Sequence, residues 1–448
     1  MIDRDRLAGL LSRERAAFAE RNPRSAAEYA KAGHLFGRVP MTWMNKKAAG
    51  FPLYLDSAVG AVVTDVDGHE YTDFCLGDTA AMAGHAPEQT AEAVQRRFAS
   101  GACAMLPTPD AAWVGAELTR RFGVTEWSFA LTATDANRWV IRLLRAITGR
   151  PRILFNSYCY HGSVDESLIV LEDGRPRNRE GNVGAPVDVT VTSRVAEYND
   201  LAGLERELAH GDVAAVVMEP ALTNIGIVLP EPGYLDGVRE LTRRYDTFLV
   251  NDETHTFSAG PGGATKAWNL TPDVVTIGKA IGGGIPAAAY GLSAEVAARI
   301  NTMKELDLVD MGGVGGTLAG NALSIAATRA TLEHVLTDAA FERMTALAER
   351  FAAGVQAVIA AHDLPWSVSR LGARAEYRFA SPAPRTGTES AAKADPDLED
   401  YLHVYLANRG ILLTPFHNMA LMSPATTEAQ VDHHRTVFAR AVEELYRA

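Results

Sequence analysis

A chain of 448 residues is long enough for two or three domains around substantial cores, and its 47% hydrophobic and 22% charged content is that of an ordinary globular protein. The formal charge of −12 argues against a nucleic-acid or anionic-membrane surface, since both want a basic face. No uninterrupted apolar run reaches the ~20 residues that span a bilayer. The N-terminus mixes charges into a helical pattern without a secretory apolar core. Cys75, Cys103 and Cys159 stand at no metal-like spacing, which points to free thiols in a reducing compartment. A cytoplasmic enzyme without a metal is the expectation.

In chain order, residues 1–35 carry helical periodicity through Leu7, Leu10, Leu11 and Phe18. Gly37–Tyr54 is loop-like, with Met41, Thr42, Trp43 and Met44 clustered in it, and such side chains either line a ligand pocket or plug a gap between domains. Ala61–Phe74 alternates around Asp67-Gly68, which predicts a hairpin. A helix follows from about Glu88 to Ser100, with His85 as a structural residue at its start. Phe129–Arg145 reads as a strand end, then Thr132-Ala133-Thr134-Asp135, then an amphipathic helix. That layout suits an anion bound at a helix N-terminus, although Thr and Asp there are also everyday caps.

Arg152–Ser157 is the next strand, followed by Tyr160-His161-Gly162, where an aromatic could stack on a flat ring while the backbone comes close. Glu172–Pro186 reads as a polar loop, and Val187–Val191 and Val213–Met218 as buried strands, the second ending at Glu219-Pro220 with Asn224 shortly after. Gly312–Ala319 is a glycine-rich loop carrying Thr317, and it opens a long helical pattern from Asn321 to about Ala360. The tail alternates strand-like pieces (Ala373–Phe379, Ile411–Thr414) with helices (Leu398–Asn408, Thr427–Tyr446), and Ser381–Asp397 should be an exposed loop. Alternating strands and helices predict an α/β chain with a mainly parallel sheet.

The rest is organised around Thr247–Gly291. Thr247–Asn251 is a β-rich apolar run ending at Asp252-Glu253, and Asp273–Ile277 is a second, ending at Gly278-Lys279 ahead of Gly282, Gly283 and Gly284. Ligands in open α/β sheets sit beyond the carboxyl ends of strands, so one carboxylate and one amine should reach the same rim. Pyridoxal phosphate (PLP) requires that pair: a lysine for the Schiff base with its aldehyde and an acid for its pyridinium nitrogen. An isolated lysine is ordinarily a solvated one. Lysine is scarce in this chain, however, and only Lys279 directly follows a buried-strand pattern and precedes three glycines.

Taken in order, DVDGHEYTDF, GHAP, TATDAN, YHG, EPALTN, PGYL, NDET, GKAIGGG and GGTLAGN resemble the class III aminotransferases, and within them the glutamate-1-semialdehyde aminomutase branch, over roughly residues 35 to 445. The resemblance implies a PLP-dependent transferase fold of type I: a mainly parallel seven-stranded sheet in a large domain (75–325), and a small α/β domain built from both termini (1–74 and 326–448). It implies Lys279 as Schiff-base lysine and proton shuttle and Asp252 at the pyridine nitrogen. It also implies Tyr160 stacked on the ring with His161 beside it, Ala133 and Thr134 on the phosphate with Thr317 reaching it from a second subunit, and Glu219 and Asn224 near the ring oxygen and substrate. A homodimer with active sites at the interface would follow.

Three positions depart from the family pattern. The usual phosphate cup Ser-Gly-Thr-Glu-Ala is here Thr132–Ala136, and Ala133 lacks glycine's freedom at positive φ, which predicts a remodelled loop. The usual valine against the ring is Thr254. Where the aminomutase branch carries a carboxylate-gripping arginine, this chain has Trp43 and Met44, which implies a substrate with an apolar or aromatic portion. The leading expectation is an aminotransferase moving an amino group from an amino acid or amine to an oxo acceptor. An intramolecular aminomutase or a racemase is the alternative, and a non-catalytic binding protein on the same fold is the reading from another class.

Overall fold

The computed structural model describes residues 2–45, 48–303 and 313–446. Gly312, at the head of the predicted glycine-rich loop, lies outside them, as do Lys46 and Lys47 within 37–54. The chain divides into two compact units, one of residues 87–342 and 384–392, the other of 1–86, 343–383 and 393–448.

The larger unit is built on a seven-stranded sheet: β1 (Glu126–Ala130), β2 (Arg152–Asn156), β3 (Ser193–Ala196), β4 (Val213–Met218), β5 (Phe248–Asp252), β6 (Val274–Ile277) and β7 (Ala288–Leu292), in spatial order β1-β7-β6-β5-β4-β2-β3. All pairings from β6 to β3 are parallel, and only β7 runs antiparallel to both its neighbours. Every residue of β4, β5 and β6 is buried, as expected of parallel strands covered on both faces. The helix Ala133–Thr148 packs Ala136, Val140, Ile141, Leu143 and Leu144 into the same apolar cluster. Each of the larger ones, Val140, Ile141, Leu143 and Leu144, contributes ~1.5–3 kcal/mol on burial. A partly buried ion pair pins the middle of the sheet: Arg239 reaches both oxygens of Asp273 at 2.7 and 3.0 Å, and Asp273 accepts from the Leu249 N–H at 2.8 Å, tying the start of β5 to the start of β6.

Several sequence expectations need correction. Val187–Val191 is not a buried strand: Val187 and Val191 are about half exposed, Asp188 caps a single turn by accepting from the Thr190 N–H at 2.8 Å, and the strand is β3. Within the segment read as a polar loop, Arg175–Asn178 pairs antiparallel with Ile169–Glu172 across Asp173-Gly174. The strand Arg175–Asn178 is exposed throughout, so no apolar alternation betrays it. Part of the predicted exposed loop is a short helix, Gly387–Ala391, with Gly387 and Ser390 buried; a Cβ on Gly387 would stand 2.2 Å from the Ser157 carbonyl oxygen. The long helix after Asn321 is interrupted: Ala322–Ala330 passes into a π turn, Thr331–Val335, before Asp338–Ala361 begins.

The smaller unit holds the predicted hairpin, Val62–Asp65 with Glu70–Asp73, extended by Leu55–Val59 and by Ile411–Leu412 from the far end of the chain. A second sheet joins Ser367–Leu371, Arg374–Arg378 and Met419–Leu421. The N-terminal helix Arg4–Arg21 buries Leu7, Leu11 and Phe18, and the unit is thus built from both ends of the chain.

Candidate active site

The parallel register carries the site. Asp252 at the end of β5 lies opposite Thr276 of β6, and Lys279 follows three residues later, so carboxylate and amine leave adjacent strands on one rim. Gly278 allows the last step: a Cβ there would meet the Ala133 Cβ at 3.1 Å, so the end of β6 lies against the first residue of the helix Ala133–Thr148. Lys279 has φ of 51°, a left-handed conformation that costs a non-glycine residue ~1–3 kcal/mol and clusters at functional sites. Its Nζ is 2.9 Å from Nε2 of His255.

Asp252 is buried and has a dense set of partners. One oxygen is 2.8 Å from His161 Nδ1 and accepts from Asn137 Nδ2 at 2.8 Å, and the other accepts from the Thr254 N–H at 3.0 Å. Burial alone would push the carboxyl up, but the His161 hydrogen bond and charge and the Thr254 donor outweigh it and bring the pKa down to about 2. The His161 imidazolium is opposed by burial and favoured by Cys159 and by Asp252, and its pKa lies well above the ordinary value. Among the described residues, His161 Nε2, Asn137 Oδ1 and Thr254 Oγ1, all buried near this anion, have no hydrogen-bond partner. A permanently charged carboxylate fenced by unsatisfied polar atoms suits a flat cationic heteroaromatic ring.

The anion cup is at the start of the helix. Thr132 caps it by accepting from the Asp135 N–H at 3.1 Å, and Ala133 and Thr134 open its first turn, where backbone N–H groups lack intrahelical partners. Ala133 is helical and has no positive φ. The glycine that matters here is Gly162, with φ of 86°: a Cβ on it would lie 2.1 Å from Thr134 Oγ1 and 2.8 Å from the Thr134 Cα. That Thr134 hydroxyl also accepts from the Ser163 N–H at 3.2 Å.

Tyr160, 36% exposed, donates its backbone N–H to Glu219 Oε1 at 3.3 Å, so the aromatic expected on the ring sits beside the His161–Asp252 pair. Glu219 is buried, takes the Thr223 N–H at 3.1 Å on its other oxygen and the Thr223 hydroxyl as well, and burial raises its pKa. Asn224 Oδ1 accepts from Arg179 at 2.8 Å. Thr317 is exposed and, with Gly313, Gly315, Gly316, Leu318 and Ala319, lines a cavity of about 460 Å³ shared with Asp135, Arg138, Trp139 and Arg142. Trp43 and Met44 belong to the other unit, on a 3₁₀ turn where Trp43 meets Phe416 edge-on at 6.1 Å. In that unit Arg409 is tied to Glu14 at 2.9 Å and to the Tyr405 carbonyl at 2.7 Å.

Three residues in these networks carry no signal in the sequence. Asn137 sits one helical turn inside a pattern that reads as amphipathic, His255 follows the acid motif without a spacing of its own, and Arg179 lies in the polar segment after an exposed strand. Only the tertiary structure gives them partners. Among the described residues no cluster of His, Cys, Asp or Glu suits a metal, the three cysteines are unpaired with one another, and no helix is long and apolar enough to cross a membrane.

Comparison with known proteins fits this geometry. Residues 43–442 match the family model for aminotransferase class-III. A glutamate-1-semialdehyde 2,1-aminomutase of Chloroflexus aggregans is 33% identical over 410 residues, 88% of this chain and 92% of its own. A crystal structure described as a glutamate-1-semialdehyde-aminomutase from Pseudomonas aeruginosa PAO1 superposes with a TM-score of 0.96 at 46% identity, covering 99% of each chain; a lysine-to-alanine variant of that protein was solved in complex with PMP. An omega-transaminase from Sphaerobacter thermophilus superposes at 0.85 with 29% identity over 94% of this chain and 98% of its own.

Proposed function

From the premise that the chain belongs to the class-III aminotransferase family and is a PLP-dependent enzyme of fold type I, we propose that it moves an amino group between two carbons of one substrate, as an aminomutase of the glutamate-1-semialdehyde type. The observation that carries this reading is the 46% identity spread over 99% of both chains with the Pseudomonas structure of that description. It reverses the order the sequence alone favours, in which transfer to a second molecule comes first.

When bound, PLP supplies the electron sink to which the amino group is attached during transfer. The chain's own residues do the rest. Asp252, anionic at every physiological pH, holds positive charge on the ring nitrogen, and His161, Asn137 and the Thr254 N–H keep it anionic despite burial. Lys279 would anchor the cofactor and, once released, would carry on Nζ the proton exchanged between the substrate carbon and the cofactor, with His255 Nε2 2.9 Å away to steer it. Ala133 and Thr134 bind the phosphate at the helix start, and Thr317 of a second copy in a homodimer completes that cup. Tyr160 would stack on the ring and Thr254 would pack against it, with Glu219 and Asn224 held ready for its oxygen and the substrate.

A second reading has its own support. Trp43 and Met44 carry no charge for a substrate carboxylate, and the Sphaerobacter omega-transaminase resembles the chain over nearly its whole length. The discriminating experiment is turnover of glutamate-1-semialdehyde with and without an added oxo acid. Catalytic isomerisation without the acceptor supports the aminomutase, and absolute dependence on the acceptor supports the aminotransferase.

A further inference from the structure

We propose that Arg179 binds a carboxylate of the substrate, so that the site selects amino compounds bearing a carboxyl group; this rests on the PLP-dependent amino-transfer reading above. Arg179 follows the exposed strand Arg175–Asn178 and is drawn inward to half-burial. Two hydrogen bonds and one ring hold it: one guanidinium nitrogen donates to the Cys159 carbonyl at 2.8 Å, another to the Asn224 side-chain Oδ1 at 2.8 Å, and its Cζ lies 5.7 Å from the centre of the Tyr158 ring. All three partners are neutral. No carboxylate among the described residues pairs with it, whereas Arg145, Arg152, Arg194, Arg239 and Arg385 of the same unit are each paired with an acid.

An arginine positioned this firmly without a counter-charge is preorganised for an anion. It keeps N–H donors beyond the two it has spent, in a planar fork that matches a carboxylate. It also lines a cavity of about 420 Å³ together with Tyr160, Ser163 and Asn224. Tyr160 is joined in sequence to His161, which is bonded to Asp252, so this cavity adjoins the site where the ring would lie. Asp165 and Glu180 line it too, but both are exposed, where water and salt screen them, while Arg179 is half-buried and its field is less screened. Their presence favours a ligand that carries an amine as well as a carboxylate.

The test is calorimetric titration of the PLP-loaded enzyme with glutarate and with its uncharged analogue glutaramide. For wild type against Arg179→Gln, glutarate binding should weaken about tenfold or more while glutaramide binding is unchanged, and Arg179→Lys should restore part of the loss. Equal weakening for both probes would mean that Arg179 only props Asn224 and the Cys159 carbonyl, and would overturn the proposal. Unchanged glutarate binding in Arg179→Gln, or no glutarate binding by wild type, would overturn it as well. Because binding needs no turnover, an enzyme that discriminates the probes yet isomerises and transaminates nothing would refute the proposed function and leave the carboxylate site standing.

Discussion

At the scale of single residues, the charge state of Asp252 is the controlling quantity. Its carboxyl is held at about 2 while burial pulls the other way, so the donors around it must supply the difference. Asp252→Asn removes the fixed negative charge and should lower turnover about 100-fold or more, measured as kcat at saturating substrate. His161→Gln should raise the acid limb of the pH profile, because the carboxylate loses its hydrogen-bonded cation. The sign follows from linkage: a carboxyl depressed in the folded state contributes stability above its unfolded pKa and loses it as pH falls through the folded value, so the window lies between about 4 and 2 in wild type and narrows from its lower edge in the variant, whose folded value rises. Lys279→Ala should abolish turnover. His255→Ala should slow it about tenfold with a smaller effect in His255→Gln, which retains a polar atom near Nζ; a loss equal in both would show that only the ring's bulk matters.

Asp252 and Lys279 were legible in the sequence because each ends a buried apolar run, and the end of a strand is a place a sequence can mark. Asn137, His255 and Arg179 were not, because their importance lies in a partner far along the chain and not in any local pattern.

At the scale of elements, the strand–turn–helix that makes the anion cup depends on close approach. Gly162→Ala puts a Cβ where Thr134 already stands and imposes a left-handed conformation on alanine, ~1–2 kcal/mol on its own. PLP retention should fall about tenfold or more, read from the dissociation constant after dialysis of the cofactor. The fully buried strands β4, β5 and β6 were readable as apolar runs, whereas Arg175–Asn178 was invisible because its residues are exposed and carry no apolar alternation; the turn signal Asp173-Gly174 was present but only one flank was apolar. Val187–Val191 failed in the opposite direction, since alternating valines mimic a strand while a capped turn buries Val189 and leaves Val187 and Val191 half exposed.

In the smaller unit, His434 is wedged between Phe351 at 4.2 Å and Phe438 at 5.7 Å, and burial drops its pKa to about 3. A base depressed in the folded state binds its proton only on unfolding, so acidification below the ordinary value of 6.5 should destabilise this unit by up to ~1.4 kcal/mol per pH unit. His434→Phe should flatten the fall in Tm between pH 6.5 and 5 in calorimetry. An unchanged slope would show that other groups control it.

At the scale of the whole molecule, Thr317 is exposed and lines the cavity it shares with Asp135. If a second copy completes the phosphate cup, the loaded enzyme should scatter light with twice the 48.1 kDa mass of one chain, and Thr317→Ala should weaken PLP binding without changing the mass. An isologous two-fold pair would bring each Thr317 to the partner's cup. A monomer that binds PLP at full strength would contradict that arrangement.

The measurement that tests the central claim most directly is the visible spectrum of the purified protein during addition of glutamate-1-semialdehyde without any acceptor, followed by borohydride reduction and peptide mass spectrometry. The account predicts a yellow protein, cofactor mass fixed on Lys279 after reduction, and an isomer of the substrate accumulating far beyond one equivalent of enzyme. Cofactor mass on another lysine, or product that stops at one equivalent until an oxo acid is supplied, would contradict it.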